Sequence, residues 1–107
     1  MNLIIEVKAK PEKFHELYQT LQALLPLVRK EDGFRESRIY RDLEDGDVFS
    51  LEMSWENNGN MEKYIRSTSG GALLGAVDLL SDSVRIKIGN DDIWDGIDAL
   101  KRVRKGA

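Results

Sequence analysis

Cysteine is absent from these 107 residues, and with it go disulfides, thiolate metal sites and a cysteine nucleophile. Histidine occurs once, at His15, so a metal site would have to be built from carboxylates alone. No metal is expected. Neither sign of charge dominates: 16 Lys and Arg against 19 Asp and Glu leave a net charge of -3. That balance offers no basic field to hold nucleic acid or an acidic membrane. Long apolar runs are also missing, since the opening Met-Asn-Leu-Ile-Ile-Glu lacks a basic leader and breaks at Glu6. The expectation is a cytoplasmic protein of one domain, with no nucleic-acid or membrane partner.

What is there is organised around a hairpin over residues 33–55. Phe34 to Asp42 runs extended, Glu44-Asp45-Gly46-Asp47 turns, and Val48 to Trp55 returns. In the return strand Phe49, Leu51, Met53 and Trp55 alternate with Val48, Ser50, Glu52 and Ser54, the two-residue period of a strand with one apolar face. Leu3, Ile5, Val7 and Ala9 give an earlier strand, and Val84, Ile86 and Ile88 a later one. Between them, Pro11 to about Arg29 carries Phe14, Leu17, Leu21, Leu24 and Val28 at helical steps, with Pro26 expected to kink its last turns. A polar helix from Glu56 and a second piece through Leu73, Leu74, Val77 and Leu80 follow the hairpin. A last helix is expected after an Asn90-Asp91-Asp92 cap, lined by Ile93, Ile97, Leu100 and Val103 with Trp94 beside them.

The order strand, helix, strand, strand, helix, strand is that of an α+β, ferredoxin-like split βαβ unit with a four-stranded antiparallel sheet. Residues 1–90 form this domain and 91–107 a helical extension. The apolar rows Leu3/Ile5/Val7, Phe49/Leu51/Met53/Trp55 and Val84/Ile86/Ile88 share one face, which buries under the helices. The other face, with Ile4, Glu6, Lys8, Val48, Ser50, Glu52, Arg85 and Lys87, is too apolar for plain solvent and too polar for a dry core. A homodimer made sheet to sheet fits both properties.

Chemistry-bearing candidates cluster around the hairpin. Trp55 and Glu52 lie near the end of a strand, Tyr64 and Arg66 on the next helix, Tyr18 on the first, and Arg38 and Tyr40 on the hairpin. If Trp55 and Tyr64 point between sheet and helices, they line an aromatic-ligand pocket with a phenol donor; ordinary core packing is the competing account. His15 lies off the apolar stripe and reads as an exposed helical histidine. Glu44, Asp45 and Asp47 lack the spacing of a calcium loop. Ser67-Thr68-Ser69-Gly70-Gly71 precedes a helix but has neither the lysine nor the strand that a phosphate loop needs. Gly71 and Gly75 either admit a close neighbour or leave room for a ligand. The basic run from Lys101 to Lys105 reads as a solvated helix end, with Ile93, Trp94, Ile97 and Leu100 as a candidate subunit contact.

Several of these stretches together resemble the antibiotic biosynthesis monooxygenase domain: Lys10-Pro11-Glu12-Lys13 opening a helix, Glu31-Asp32-Gly33-Phe34 after it, Arg38 to Asp42, Phe49 to Trp55, and the helix from Met61 to Ser67. The resemblance covers about residues 3–89. It implies a dimeric α+β barrel and a cofactor-independent oxygenase that uses molecular oxygen on quinols, anthrones and related phenolic molecules. Trp55 and Tyr64 carry over as pocket wall and phenol; Arg38 or Arg66 is assigned to the phenolate on chemical grounds. Many members have a histidine at or near Tyr64, and this chain has none there. The haem-degrading branch uses an Asn and a His where this chain has Ile5 and Leu74 or Gly75, which argues against haem breakdown. The alternative implied by the same fold is a non-catalytic dimeric module that binds a small molecule or a partner.

Overall fold

The computed structural model describes residues 1–89 and, beyond them, residues 94, 95, 100, 101 and 104, the first two in their backbone only. The elements are β1 (Asn2–Ala9), α1 (Phe14–Val28), β2 (Phe34–Arg41), β3 (Val48–Trp55), α2 (Asn58–Arg66), α3 (Thr68–Leu80), β4 (Ser81–Ile88) and a two-residue β5 (Trp94–Asp95). The sheet order is β2-β3-β1-β4-β5 with every pairing antiparallel, so the first four strands make the expected ferredoxin-like sheet.

Register turns the alternation into a core. Leu3 lies between Met53 and Ile88, Ile5 between Leu51 and Ile86, and Val7 between Phe49 and Val84. These three apolar rows bury beneath the helices, which return Phe14, Leu17 and Leu21 from α1, Met61, Tyr64 and Ile65 from α2, and Leu73, Leu74 and Val77 from α3. A side chain of this size fully removed from water contributes about 1.5–3 kcal/mol. No buried charged group offsets that gain among the described residues.

Strand β2 carries a bulge that decides where its side chains go. Phe34 pairs with Trp55 and Glu36 with Ser54, leaving Arg35 as the extra residue. Beyond the bulge Ile39 and Arg41 share the inner rows of Leu51 and Phe49, while Arg38 and Tyr40 share the outer rows of Glu52 and Ser50.

Two sequence expectations are revised, the start of α1 and the helix beyond residue 90. Helix α1 begins at Phe14 rather than Pro11: Lys13 donates its amide to the Lys10 carbonyl, and Glu12 has φ 66°, so Pro11-Glu12 form a turn. Pro26 sits inside the last turn without ending the helix, which runs to Val28. Trp94–Asp95 pair with Ile86 and Arg85 as a strand where a helix is expected, covering backbone groups that an edge strand would leave unpaired. Helical backbone is found at Leu100, Lys101 and Arg104. Leu100 is fully buried in its own chain's core and therefore unavailable for a subunit contact. The expected cap at Asn90, Asp91 and Asp92 and the side chains of Ile93, Trp94, Ile97 and Val103 lie outside the described residues.

Candidate active site

Strand parity sends Trp55 inward from the end of β3, and Tyr64 meets it from α2. Their rings stack at 5.1 Å with an interplanar angle of 27°, and Phe34 closes edge-on against the indole at 5.5 Å. Trp55 and Tyr64 are each only 1% exposed. The end of β3 is pinned by chain start: the Trp55 amide donates to the Met1 carbonyl at 2.8 Å, and the Met1 ammonium donates to the Trp55 carbonyl at 3.0 Å.

Tyr64 is held by the way α2 begins and ends. Asn57 caps the helix, its side-chain oxygen accepting from the Asn60 amide at 2.8 Å. Ser67 ends it, donating its hydroxyl to the Tyr64 carbonyl while accepting from the Gly70 amide at 3.0 Å, so one residue stops α2 and caps α3. The helices then pass so closely that a Cβ on Gly70 would come within 2.2 Å of the Tyr64 carbonyl oxygen. Because the Ser67 hydroxyl already takes an amide, the Ser-Thr-Ser-Gly-Gly run works as a helix junction. Gly71 is small for another reason: the Arg104 guanidinium lies against it and donates to the carbonyls of Ile65 and Ser67 at 2.7 and 2.8 Å. Arg104 thus acts as a clamp on the α2–α3 junction, not as part of a solvated helix end. Gly75 has open space around the position of a Cβ.

Among the described residues, three buried side-chain atoms of this interior have no hydrogen-bond partner: Trp55 Nε1, Tyr64 Oη and Ser69 Oγ. Burial is the main cause that pushes the Tyr64 phenol well above its ordinary value; the Ser69 hydroxyl tempers the rise and the Glu31 carboxylate adds to it. Ser69 is near enough to affect the phenol, yet the hydroxyls do not complete a hydrogen bond. Tyr64 is therefore a neutral donor over the whole physiological range. Ser69 and Glu31 also line a cavity of about 530 Å³ between the end of α1 and the start of α3, walled by Leu24, Leu27 and Ala72.

The remaining candidates do not converge on this pair. Arg38, Tyr40 and Glu52 lie on the outer face of the sheet, where they line a cavity of about 280 Å³ with Ile4 and Glu36. The reason is the strand period: Glu52 points away from the face that holds Met53 and Trp55, and the bulge gives Arg38 and Tyr40 the same parity. Arg38 is ion-paired with Glu36, which, with Tyr40, keeps its guanidinium even more firmly protonated than usual. Arg66 is exposed on α2. Tyr18 stacks on Phe14 at 5.9 Å in a separate groove, and the exposed His15 meets Phe14 edge-on. Around the hairpin turn, Asp42 accepts from the amides of Glu44 and Asp45, and Asp45 accepts from that of Asp47. No group of three or more His, Asp or Glu side chains gathers as a metal site among the described residues. The sequence gives Ser69, Glu31 and Arg104 other roles, because contacts across a helix break have no periodic signature.

The four-stranded antiparallel sheet with helices on one face and an aromatic interior places the chain in the class of small ferredoxin-like α+β proteins. The chain belongs to the antibiotic biosynthesis monooxygenase family, whose profile matches residues 1–70. No curated protein matches it. Among solved structures, a conserved protein from Methanosarcina mazei superposes with a TM-score of 0.77 at 22% identity, covering 85% of this chain and 91% of that one. The crystal structure of an antibiotic biosynthesis monooxygenase gives 0.75 at 13% identity over 85% and 97% of the two chains. A protein of Mycobacterium tuberculosis gives 0.72 at 19% over 85% and 95%. At these identities the likeness is one of fold. No helix among the described residues is long and apolar enough to cross a membrane.

Proposed function

We propose that the protein is a cofactor-independent monooxygenase that oxidises a quinol, anthrone or related phenolic molecule with molecular oxygen, acting as a cytoplasmic homodimer. The observation that carries this reading is the pair of buried donors, Trp55 Nε1 and Tyr64 Oη, without a partner among the described residues. Buried donors cost free energy unless something accepts from them, and a phenolate or carbonyl oxygen of a flat substrate is a fitting acceptor. Family membership supports the same class of chemistry.

An electron-rich phenolate can pass an electron to oxygen itself, so the protein's work is to bind, orient and exclude water. Tyr64, kept protonated by burial, donates to the substrate oxygen and stabilises the anion. Glu31, whose charge reaches Tyr64 from the adjoining cavity, is placed to take the proton released by the substrate. For an anthrone the balance is simple: the ring methylene becomes a carbonyl with one oxygen atom, and the other oxygen leaves as water with the two methylene hydrogens. Arg38, Tyr40 and Glu52 are assigned to the sheet-to-sheet interface, while Tyr18 and Arg66 have no part in this site.

The test is oxygen uptake by the purified protein on a panel of hydroquinones and anthrones. Tyr64→Phe should lower the rate by about 10²-fold or more, the range for losing one donor to a developing oxyanion. An unchanged rate would clear Tyr64 of the role. A second reading, a non-catalytic binding module, is favoured by one observation: the two rings stack directly on each other, leaving no gap between them for a ligand. The absence of both Trp55 fluorescence quenching by aromatic ligands and oxygen uptake would select that reading.

A further inference from the structure

A second apolar cavity lies at the opposite end of β3 from Trp55, about 20 Å away at the usual rise of a strand over six residues. Its volume is about 340 Å³, and its walls are Phe14, His15 and Tyr18 of α1 with Ile39, Arg41 and Phe49 of the hairpin. That is the size range of pockets for small organic ligands. Phe14 is its centre: Tyr18 stacks on it at 5.9 Å and 12°, Phe49 meets it edge-on at 5.7 Å, and the Arg41 guanidinium lies 4.1 Å from its ring centre.

Arg41 is the unusual member. Its Nε donates to the Gly46 carbonyl at 2.9 Å, which fixes the guanidinium at the rim, yet it forms no ion pair among the described residues. Three acids of the hairpin turn and of α1 have partners of their own. Asp45 pairs with Lys8 at 3.4 Å, Asp42 accepts two turn amides, and Glu16 pairs with Lys13 at 3.2 Å. A guanidinium held in place by one backbone acceptor keeps its remaining donors for an anionic group. The Tyr18 hydroxyl, half-buried on the same wall, likewise has no hydrogen-bond partner among the described residues.

We propose that this groove is a binding site for a planar aromatic anion, separate from the Trp55–Tyr64 interior. The ring of the ligand lies against Tyr18 and Ile39, which are half-buried, with the buried Phe14 behind them. Its carboxylate meets the free edge of the Arg41 fork, with the Tyr18 hydroxyl as second donor.

The experiment is a titration of the ¹⁵N-labelled full chain with naphthoate and with its uncharged alcohol analogue, followed by amide shifts. The expected result is saturable naphthoate binding, with shifts centred on residues 14–18, 39–41 and 46–49. The alcohol should bind about tenfold more weakly, and Arg41→Gln should bring the acid down to the level of the alcohol, as loss of a charge-assisted pair requires. Equal affinity for acid and alcohol, shifts centred on residues 55–69, or no saturation by naphthoate would each overturn the proposal. Should Arg41→Gln disturb the hairpin, the comparison of acid and alcohol on the unaltered protein decides alone.

Discussion

Tyr64 shows how one residue can oppose stability to function. Its hydroxyl is buried without a partner, so removing it relieves a desolvation cost of about 1 kcal/mol or more. Tyr64→Phe should therefore raise the denaturant midpoint at neutral pH while lowering oxygen uptake; a lower midpoint would mean that the hydroxyl is satisfied in solution. The pH dependence has a definite sign. Burial raises the phenol's folded-state value above its usual one near 10, so below that value both states are protonated and stability is unaffected. As pH rises past about 10 the unfolded chain ionises first, and stability is lost until the folded phenol also titrates. Difference melts above pH 10 should show a shallower fall for Tyr64→Phe than for the parent. Gly70 makes the complementary case. Alanine is a better helix former by about 1 kcal/mol, but its Cβ would lie 2.2 Å from the backbone oxygen of Tyr64. Overpacking against backbone costs about 1–3 kcal/mol and should win, so Gly70→Ala is expected to lower the thermal midpoint. The inward direction of Trp55 was legible from strand parity. The orphaned state of its partner's hydroxyl was not, because it depends on how Ser69 arrives across the α2–α3 junction.

At the scale of elements, the sequence is most readable where one period runs uninterrupted and least where one residue type serves two purposes. Proline suits both the first turn of a helix and the second position of a turn, so Pro11 alone does not say where α1 begins. The structure resolves this through Glu12, whose φ of 66° is left-handed and is the mark of a turn with proline before it. That conformation costs a non-glycine residue about 1 kcal/mol, so Glu12→Gly should stabilise the protein by a comparable amount in chemical denaturation. A destabilised variant would show that the glutamate side chain has a compensating role. The β2 bulge is the other illegible feature. Nothing in Phe34 to Arg41 announces the extra residue, yet Arg35 sets the parity that puts Arg38 and Tyr40 on the outer face. Candidates that look adjacent on a hairpin are thereby divided between two sides of one sheet.

For the molecule as a whole, the outer face of the sheet matters most. Across its middle, Lys87, Ile4, Glu52 and Arg38 stand in one row, with Arg85, Glu6, Ser50 and Tyr40 in the next. Glu6 and Arg85 lie 3.7 Å apart, and Ile4 and Val48 are half-buried even in the single chain. Mixed signs at this spacing let one copy, turned by a twofold axis, set its acids against the bases of another. The mixed composition of the alternate strand positions made this face legible before the structure, and Arg38, Tyr40 and Glu52, which do not join Trp55 and Tyr64, gain a place on it. Ile4 offers the decisive substitution. In a lone subunit, Ile4→Lys puts an ammonium on a wet surface, where its stem lies along the sheet at little cost. In a sheet-to-sheet dimer the same ammonium would be enclosed without a carboxylate of its own, a penalty of several kcal/mol. Sedimentation equilibrium at micromolar concentration should find the parent dimeric and Ile4→Lys monomeric, with unchanged far-ultraviolet circular dichroism. A parent that sediments as a monomer would sink the dimer, and Arg38, Tyr40 and Glu52 would then lose the only role that their shared face gives them.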